Sequence, residues 1–181
     1  MRKALYILGQ LNDGDVEWLA RHGTKQVLTD GEIIIREGSP IDTLFIALNG
    51  QLQVTLTDGR EVARLGIGEV VGEMSLVDNF PPAATVTAAG PALVLALRRT
   101  VLQKRLAAEP QFAARFYRAL AIFLADRLRA TTRRFGYGET GDLDNEAALE
   151  DELDEAVLDT VSQAGERFVR LLQSISAGGA S

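Results

Sequence analysis

Short apolar runs separated by glycine occupy residues 32–97. The runs EIIIREG (32–38), TLFIAL (43–48) and QLQVTLT (51–57) are rich in β-branched residues or alternate between apolar and polar positions, as strands do. Four similar runs follow at close spacing: EVARLG, EVVGE, ATVTAAG and ALVLAL. Short strands punctuated by glycine favour a small barrel or roll over an open sheet.

Two dipeptides mark turns in this region. Asn49-Gly50 and Asp58-Gly59 lie between alternating runs. A type I′ turn needs positive φ at both central residues, so these dipeptides are strong signals for a β-hairpin. We therefore predict a hairpin at each.

Helical periodicity flanks the strands. The run NDGDVEWLARHG (12–23) predicts a short capped helix that ends at glycine. Beyond the last strand, Thr100 is predicted to cap a helix that reaches about Ala108. Pro110 then suits the first position of the following helix.

Two long amphipathic helices are predicted next. Residues 111–135 place six apolar side chains on one broad face, with arginines opposite: Phe112, Phe116, Leu120, Phe123, Leu124 and Leu128. Roughly 25 residues at 1.5 Å each give a helix longer than a small roll can cover. A helix over 147–176 carries an apolar stripe at heptad spacing: Val157, Val161, Ala164, Phe168, Leu171 and Ile175. This stripe is expected either to pack against the roll or to bind a partner.

The predicted fold is therefore α+β: an antiparallel, jelly-roll-like β-roll of about eight strands, with a short N-terminal helix and C-terminal helices. We predict one domain over 1–135, an acidic linker over 136–146, and an amphipathic helix with a flexible tail over 147–181.

Charge is strongly segregated along the chain. Residues 98–134 hold ten basic and two acidic side chains, whereas 139–155 hold nine acidic and no basic ones. Both blocks are expected to be solvated helix surfaces that partly neutralise each other, or the acidic block shields a basic surface until a partner displaces it.

Composition excludes several classes of protein and site. The chain has no cysteine, which excludes disulfides and thiolate metal sites. We expect no signal peptide, because Gly9-Gln10 interrupts the first apolar run, and no run approaches the ~18 apolar residues of a membrane span. The expected location is cytoplasmic.

Catalysis is not expected. The rival double-layered β fold, the metal-binding cupin, needs several histidines, and this chain has only His22, at a predicted helix end. Ser75 has no histidine in its pattern to act as a base. We therefore predict that the chain is not an enzyme and holds no metal.

The stretch VVGEMSLVDNFPPAATVTA (70–88) resembles the phosphate-binding cassette of the cyclic-nucleotide-binding domain family. The similarity covers about residues 5–135, and glycines 31, 38, 50 and 68 fall where that family's roll turns. It implies that Gly72 permits a close approach to the ligand and that Glu73 accepts a hydrogen bond from the ribose 2′-hydroxyl. Other residues that match the cassette are Met74, Ser75, Ala83 and Thr85.

The cassette departs from the family at one position. Where the resemblance implies an arginine that pairs with the cyclic phosphate, this chain has Pro82, which offers neither a guanidinium nor a backbone N–H. Cyclic AMP, cyclic GMP or another small anion is therefore expected to bind weakly, if at all. Glu73 is expected either to serve the ligand or to cap the short helix that follows it.

A regulatory or sensor module acting through its C-terminal helices is the predicted function. The alternatives are a ligand-independent docking protein and, less favoured, a DNA-binding regulator. The acidic 139–181 segment has the wrong charge for DNA, so no DNA contact and no membrane contact are expected. We predict a homodimer through helix 111–135 and a protein partner for helix 147–176.

Overall fold

The computed structural model describes residues 8–78, 80–136 and 155–177, and it places eight strands within these ranges in two antiparallel sheets. The strands are β1 (Thr24–Leu28), β2 (Ile33–Ile35), β3 (Thr43–Asn49), β4 (Leu52–Thr55), β5 (Glu61–Leu65), β6 (Val70–Val71), β7 (Thr85–Ala88) and β8 (Ala92–Arg98). One sheet has the order β1-β8-β3-β6 and the other β2-β7-β4-β5. The predicted antiparallel roll is confirmed.

The hairpin predicted at Asn49-Gly50 is wrong. β3 pairs with β6 and β8, whereas β4 pairs with β5 and β7, so that the chain crosses from one sheet to the other at this dipeptide. Gly50 has φ of +78°, and a Cβ there would lie 2.5 Å from the carbonyl oxygen of Pro91. Glycine is therefore needed for close packing of two backbone segments as well as for the turn.

The hairpin at Asp58-Gly59 forms, with a longer loop than predicted. β4 and β5 pair directly, and the Leu56 N–H donates to the Arg60 carbonyl across a three-residue loop. Gly59 has φ of +82°. A three-residue loop ending in a left-handed glycine is the next most common hairpin connection after the two-residue turn.

The sequence pattern missed strand β1. It pairs along its whole length with β8 at the edge of the first sheet. Four of its five residues are exposed on both faces of the strand, and only Leu28 is buried. The run TKQVL therefore lacks the apolar alternation by which the other strands were found.

The helices with described bounds are α1 (Asp13–His22), α2 (Met74–Val77), α3 (Arg99–Ala108), α4 (Pro110–Gly136) and α5 (Glu155–Ala177), and residues 8–10 are also helical. The predicted capped helix is confirmed: Asn12 caps α1, in a reciprocal capping box with Asp15. Thr100 does not cap α3, since Arg98 occupies the cap position without a side-chain bond. Pro110 opens α4 as predicted. None of these described helices is long and apolar enough to cross a membrane.

Two apolar clusters share the first sheet. Alternate residues of β3 point to opposite sides: Phe45 and Ala47 lie in the cluster inside the roll, and Leu44 and Ile46 lie in the cluster beneath the helices. A strand buried on both faces needs apolar residues at successive positions. This explains the continuous run TLFIAL.

Helix α4 buries most of its predicted apolar face. Phe112, Phe116, Leu120 and Phe123 are buried in the cluster beneath the helices. Leu128 is 67% exposed, so its assignment to that face is wrong. The broad face predicted from the sequence ends before Leu128.

The final helix packs against α1. Within the described part of the predicted stripe, Ala164, Leu171 and Ile175 are buried in the cluster that also holds Leu8 and Leu11. Val157 and Val161, and the predicted helical residues 147–154, lie outside the residues whose packing is described. Helix α5 therefore makes its main contact with the protein's own N-terminal helix.

A buried ionic cluster connects three helices. Asp15 of α1 is 1% exposed and accepts from Arg105 of α3 at 3.1 Å and from Arg115 of α4 at 2.7 Å and 3.1 Å. The Arg105 guanidinium also lies between two aromatic rings, 4.6 Å from Trp18 and 4.0 Å from Phe112. The prediction that the arginines of this region lie on a solvated surface is therefore wrong for these two.

Candidate functional site

The cassette begins with a close approach between two backbone segments. After β6, Gly72 adopts φ of +85°, and a Cβ at this position would lie 2.6 Å from the carbonyl oxygen of Thr43. Any side chain here would collide with β3. Glycine is thus required by the packing of the roll, independently of a ligand.

Helix α2 is a single turn closed by local hydrogen bonds. The Asp78 N–H donates to the Met74 carbonyl at 3.0 Å, and the Phe80 N–H donates to the Asp78 carboxylate at 3.1 Å. Ser75 is buried, and its hydroxyl donates to the Phe80 carbonyl at 3.4 Å. Ser75 therefore connects the helix to the turn that leads into Pro81 and Pro82.

Pro82 is built into the wall of the roll. Its carbonyl accepts from the Gly38 N–H at 2.9 Å, and three residues later the Thr85 hydroxyl accepts from the Glu37 N–H at 3.1 Å. Ala83, between them, is exposed. Pro82 and Thr85 thus bind the same β2–β3 loop, and the side chain at position 82 supplies no donor.

Glu73 forms a buried ion pair. The residue is 2% exposed, and its Oε1 accepts from Arg127 Nη1 of helix α4 at 2.8 Å. The Arg127 guanidinium lies 5.1 Å from the centre of the Phe123 ring. The alternative role predicted for Glu73, capping the short helix, is wrong because its side chain makes no capping hydrogen bond.

Burial determines the titration of Glu73. Removal from water raises the pKa of its carboxyl above the ordinary 4.5, and the nearby charge of Arg127 opposes that rise without cancelling it. The carboxylate therefore carries a net desolvation cost in spite of its ion pair.

A second carboxylate lies beside Pro82. Glu37 precedes Gly38 in the loop that binds the Pro82 carbonyl, and its Oε2 is buried without a hydrogen-bond partner among the described residues. A buried carboxylate oxygen of this kind is unfavourable for an anion bound nearby.

The outer surface of the cassette is apolar. Met74, Val77 and Phe80 are exposed, the last by 73%. The matching residue Met74 therefore faces outward, whereas Glu73 and Ser75 face inward. The predicted site residues fall on both sides of this segment.

Arg127 was not identified as a site residue from the sequence. It lies in an arginine-rich helix, where the pattern gave no reason to separate it from its solvent-facing neighbours. Its spacing of four from Phe123, on the edge of the buried face, is the one available signal.

Residues 25–109 match the family model described as "Cyclic nucleotide-binding domain". These residues form a domain of the cyclic nucleotide-binding family. The match runs from β1 to α3 and includes the whole cassette, whereas α1, α4 and α5 lie outside it. The family resemblance found in the sequence is therefore confirmed for this domain.

Known proteins agree with this assignment. The crystal structure of a cyclic nucleotide-binding domain from Methylobacillus flagellatus superposes with a TM-score of 0.68 at 25% identity, over 78% of this chain and 85% of the other. A cAMP-dependent protein kinase regulatory subunit from Yarrowia lipolytica is 34% identical over 48% of this chain and 23% of its own length. Glutaminase 2 of Bradyrhizobium diazoefficiens is 29% identical over 71% of this chain.

The chain spans only a fifth to a quarter of these two curated relatives, with 20% of the glutaminase and 23% of the kinase subunit covered. The similarity therefore concerns one domain within each relative. The activities of the whole relatives do not follow from it.

Proposed function

We propose that this protein is a non-catalytic regulatory module of the cyclic nucleotide-binding type whose ligand binding is weakened or altered. The observation that carries the proposal is Pro82: by resemblance to the family's cassette it stands where a phosphate-binding arginine is expected, and its carbonyl accepts from the Gly38 N–H. A hydrogen bond to a charged group contributes roughly 1.5–3 kcal/mol, so its loss weakens binding by about 10- to 100-fold.

The ion pair of Glu73 supports the same conclusion. A carboxylate that already accepts from Arg127 gains less from a ribose hydroxyl than a carboxylate without a partner would. The buried oxygen of Glu37 further disfavours an anion. These features also favour the second candidate function, a docking protein that keeps the roll without using a ligand.

Calorimetry on three proteins tests the proposal: the unaltered chain, Pro82→Arg and Pro81→Arg. We expect weak or no binding of cyclic AMP and cyclic GMP by the unaltered chain, and a gain of about tenfold or more for Pro82→Arg. Pro81→Arg adds the same charge one residue away and serves as the matched control. Tight binding by the unaltered chain, or equal gains for both variants, would contradict the proposal.

The proposed role acts through protein contacts and without DNA. Helix α4 presents Tyr117, Ala121 and Leu128 on its exposed side, and an exposed apolar stripe on a helix is suited to a second copy of the chain. Arg115 and Arg127 already pair with buried carboxylates, which leaves less of the basic helix for phosphates.

A further inference from the structure

Strand β2 forms one edge of the second sheet. Among the described strands it pairs only with β7, and Ile33 lies opposite Thr87. The Glu32 carbonyl accepts from the Ala88 N–H at 2.8 Å. Pairs in an antiparallel ladder alternate between hydrogen-bonded and non-hydrogen-bonded, so the next pair, Ile33 and Thr87, is of the second kind. The N–H and C=O of Ile33 therefore point away from β7, towards the free edge.

An open groove of about 280 Å³ adjoins this edge. It is lined by three successive strand residues and by part of the loop that follows: Ile33, Ile34, Ile35, Arg36, Ser39, Pro40 and Ile41. Successive side chains of a strand point to opposite faces of the sheet. A groove that touches three residues in a row therefore meets the strand at its edge, where the outward backbone groups of Ile33 lie.

A tight turn forms the second wall of the groove. The Ser39 N–H donates to the Arg36 carbonyl at 3.2 Å, and Gly38 between them adopts φ of +72°. This turn reverses the chain, so that residues 39–41 line the same groove as the strand. The Gly38 N–H donates to the Pro82 carbonyl at 2.9 Å, which attaches the turn to the cassette. The groove is thus built from backbone that the fold holds in place.

The groove combines apolar surface with a cation. The Ile33 side chain is 42% exposed. Arg36 is exposed and forms no ion pair within the part of the chain that the structure describes. Its guanidinium favours a carboxylate, to which it can donate two parallel hydrogen bonds. The backbone groups of a strand edge favour an extended chain that pairs with them as an added strand. An extended peptide with an acidic side chain meets both requirements.

We propose that the free edge of β2 is a docking groove for an extended, acidic segment of a partner protein, which adds a fifth strand to this four-stranded sheet. The main chain of the segment bonds the outward groups of Ile33, and its carboxylate pairs with Arg36. Its apolar side chains pack on Ile33 and Ile41. The lining contains no residue of α4, α5 or the cassette, so this inference does not depend on the proposals for the ligand and the homodimer.

The test begins with short peptides selected from a random phage-displayed library on the immobilised full chain and then synthesised with a fluorescent label. We expect the enriched peptides to carry an acidic residue among alternating apolar positions. In fluorescence anisotropy, Arg36→Gln should weaken their binding by about fivefold. Ile33→Pro removes the outward N–H without removing a bond to β7, and should weaken binding by about fivefold as well. The matched control is Arg60→Gln, at another exposed arginine, which should leave binding unchanged.

Hydrogen exchange shows whether the bound peptide forms a strand. The Ile33 amide should exchange more slowly when a peptide is bound, because its N–H faces the groove. The Ile34 amide faces β7 in either state and should change little. A peptide held only by its charge on Arg36 would leave the Ile33 amide unprotected.

The proposal fails on any of three results. The first is that no peptide is enriched, or that enriched peptides bind Arg36→Gln and Ile33→Pro as tightly as the unaltered chain. The second is a bound peptide that does not protect the Ile33 amide. The third is an unaltered chain that is dimeric by light scattering and becomes monomeric on Ile33→Pro, because that result places β2 of a second copy in the groove. Circular dichroism verifies folding, and if Ile33→Pro does not fold, Arg36→Gln and the exchange of the Ile33 amide decide.

Discussion

At the scale of single residues, Glu73 has one observed partner, Arg127, and one proposed partner, a ligand ribose. The carboxyl group that the family assigns to a ribose lies against Arg127 and is 2% exposed. Its raised pKa means that ionisation costs folding free energy. The pH dependence of stability therefore reports directly on this site.

We predict that the unaltered chain loses stability relative to Glu73→Gln as pH rises. The folded state holds the Glu73 proton more tightly than the unfolded state, so it binds more protons at pH values between the ordinary pKa and the raised one. Stability then falls with increasing pH across that window and is constant above it. The measurement is urea unfolding of both proteins between pH 4 and pH 7.

The informative quantity is the difference in the free energy of unfolding between the unaltered chain and Glu73→Gln, followed as a function of pH. Other carboxyl groups titrate in both proteins, so their contributions cancel in this difference. A difference that stays constant from pH 4 to pH 7 would show that burial does not perturb Glu73. The opposite slope would show that the ion pair outweighs desolvation.

At the scale of secondary-structure elements, the attachment of α1 depends on Asp15. This carboxylate forms ion pairs with Arg105 of α3 and Arg115 of α4. It also accepts from the Asn12 N–H and so completes the cap of its own helix. Removing one member of a buried charged cluster leaves the others without compensation in a medium of low dielectric constant.

We predict that Asp15→Asn lowers the free energy of unfolding by about 3 kcal/mol or more. Glu17→Gln, on the exposed side of the same helix, removes the same charge and should cost less than about 1 kcal/mol. Denaturant unfolding of both variants gives the comparison. Similar losses for the two would mean that the buried cluster contributes no more than a surface ion pair.

The positions of strands could be predicted wherever an apolar run between glycines marked them. Seven of the eight strands within the described ranges were found from apolar runs and glycines, and β1 was missed because its residues are mostly exposed. The pairing of strands was harder to predict. Asn49-Gly50 indicates a turn, but whether the chain returns to the same sheet depends on β6 and β8, which are far away in sequence.

The candidate site shows the same limit. Gly72, Glu73 and Pro82 could be identified because the cassette is contiguous in sequence. Arg127 could not, since its contact with Glu73 spans 54 residues and depends on the angle at which α4 crosses the roll. Ion pairs between distant elements leave no periodic signal.

At the scale of the whole molecule, assembly through α4 can be tested directly. We predict a homodimer through the exposed side of α4, where Tyr117 and Leu128 lie in the helix opposite to its buried face. Light scattering should show a dimer that dissociates when Ala121→Glu and Leu128→Glu introduce like charges. Val169→Glu, at an exposed apolar position of α5, is the control and should leave the dimer intact.

Point substitutions are preferable to truncation at Gly138, because removal of α5 would expose Leu8 and Leu11 and confound the result. A monomeric unaltered chain would contradict the proposed dimer. Dissociation caused equally by Val169→Glu would place the interface on α5 instead.

The contact between α1 and α5 also fixes an order of events during synthesis. Asp13 and Arg167 are 154 residues apart, so the apolar face of α1 leaves the ribosome long before its cover exists. At about 5–20 residues per second, that interval is about 8–30 s. A contact of such long range is also late to form in refolding, because chain closure must precede any gain from it. Part of the apolar face of the first helix therefore stays uncovered until the last helix has been made, although α3 and α4 can bind Asp15 earlier.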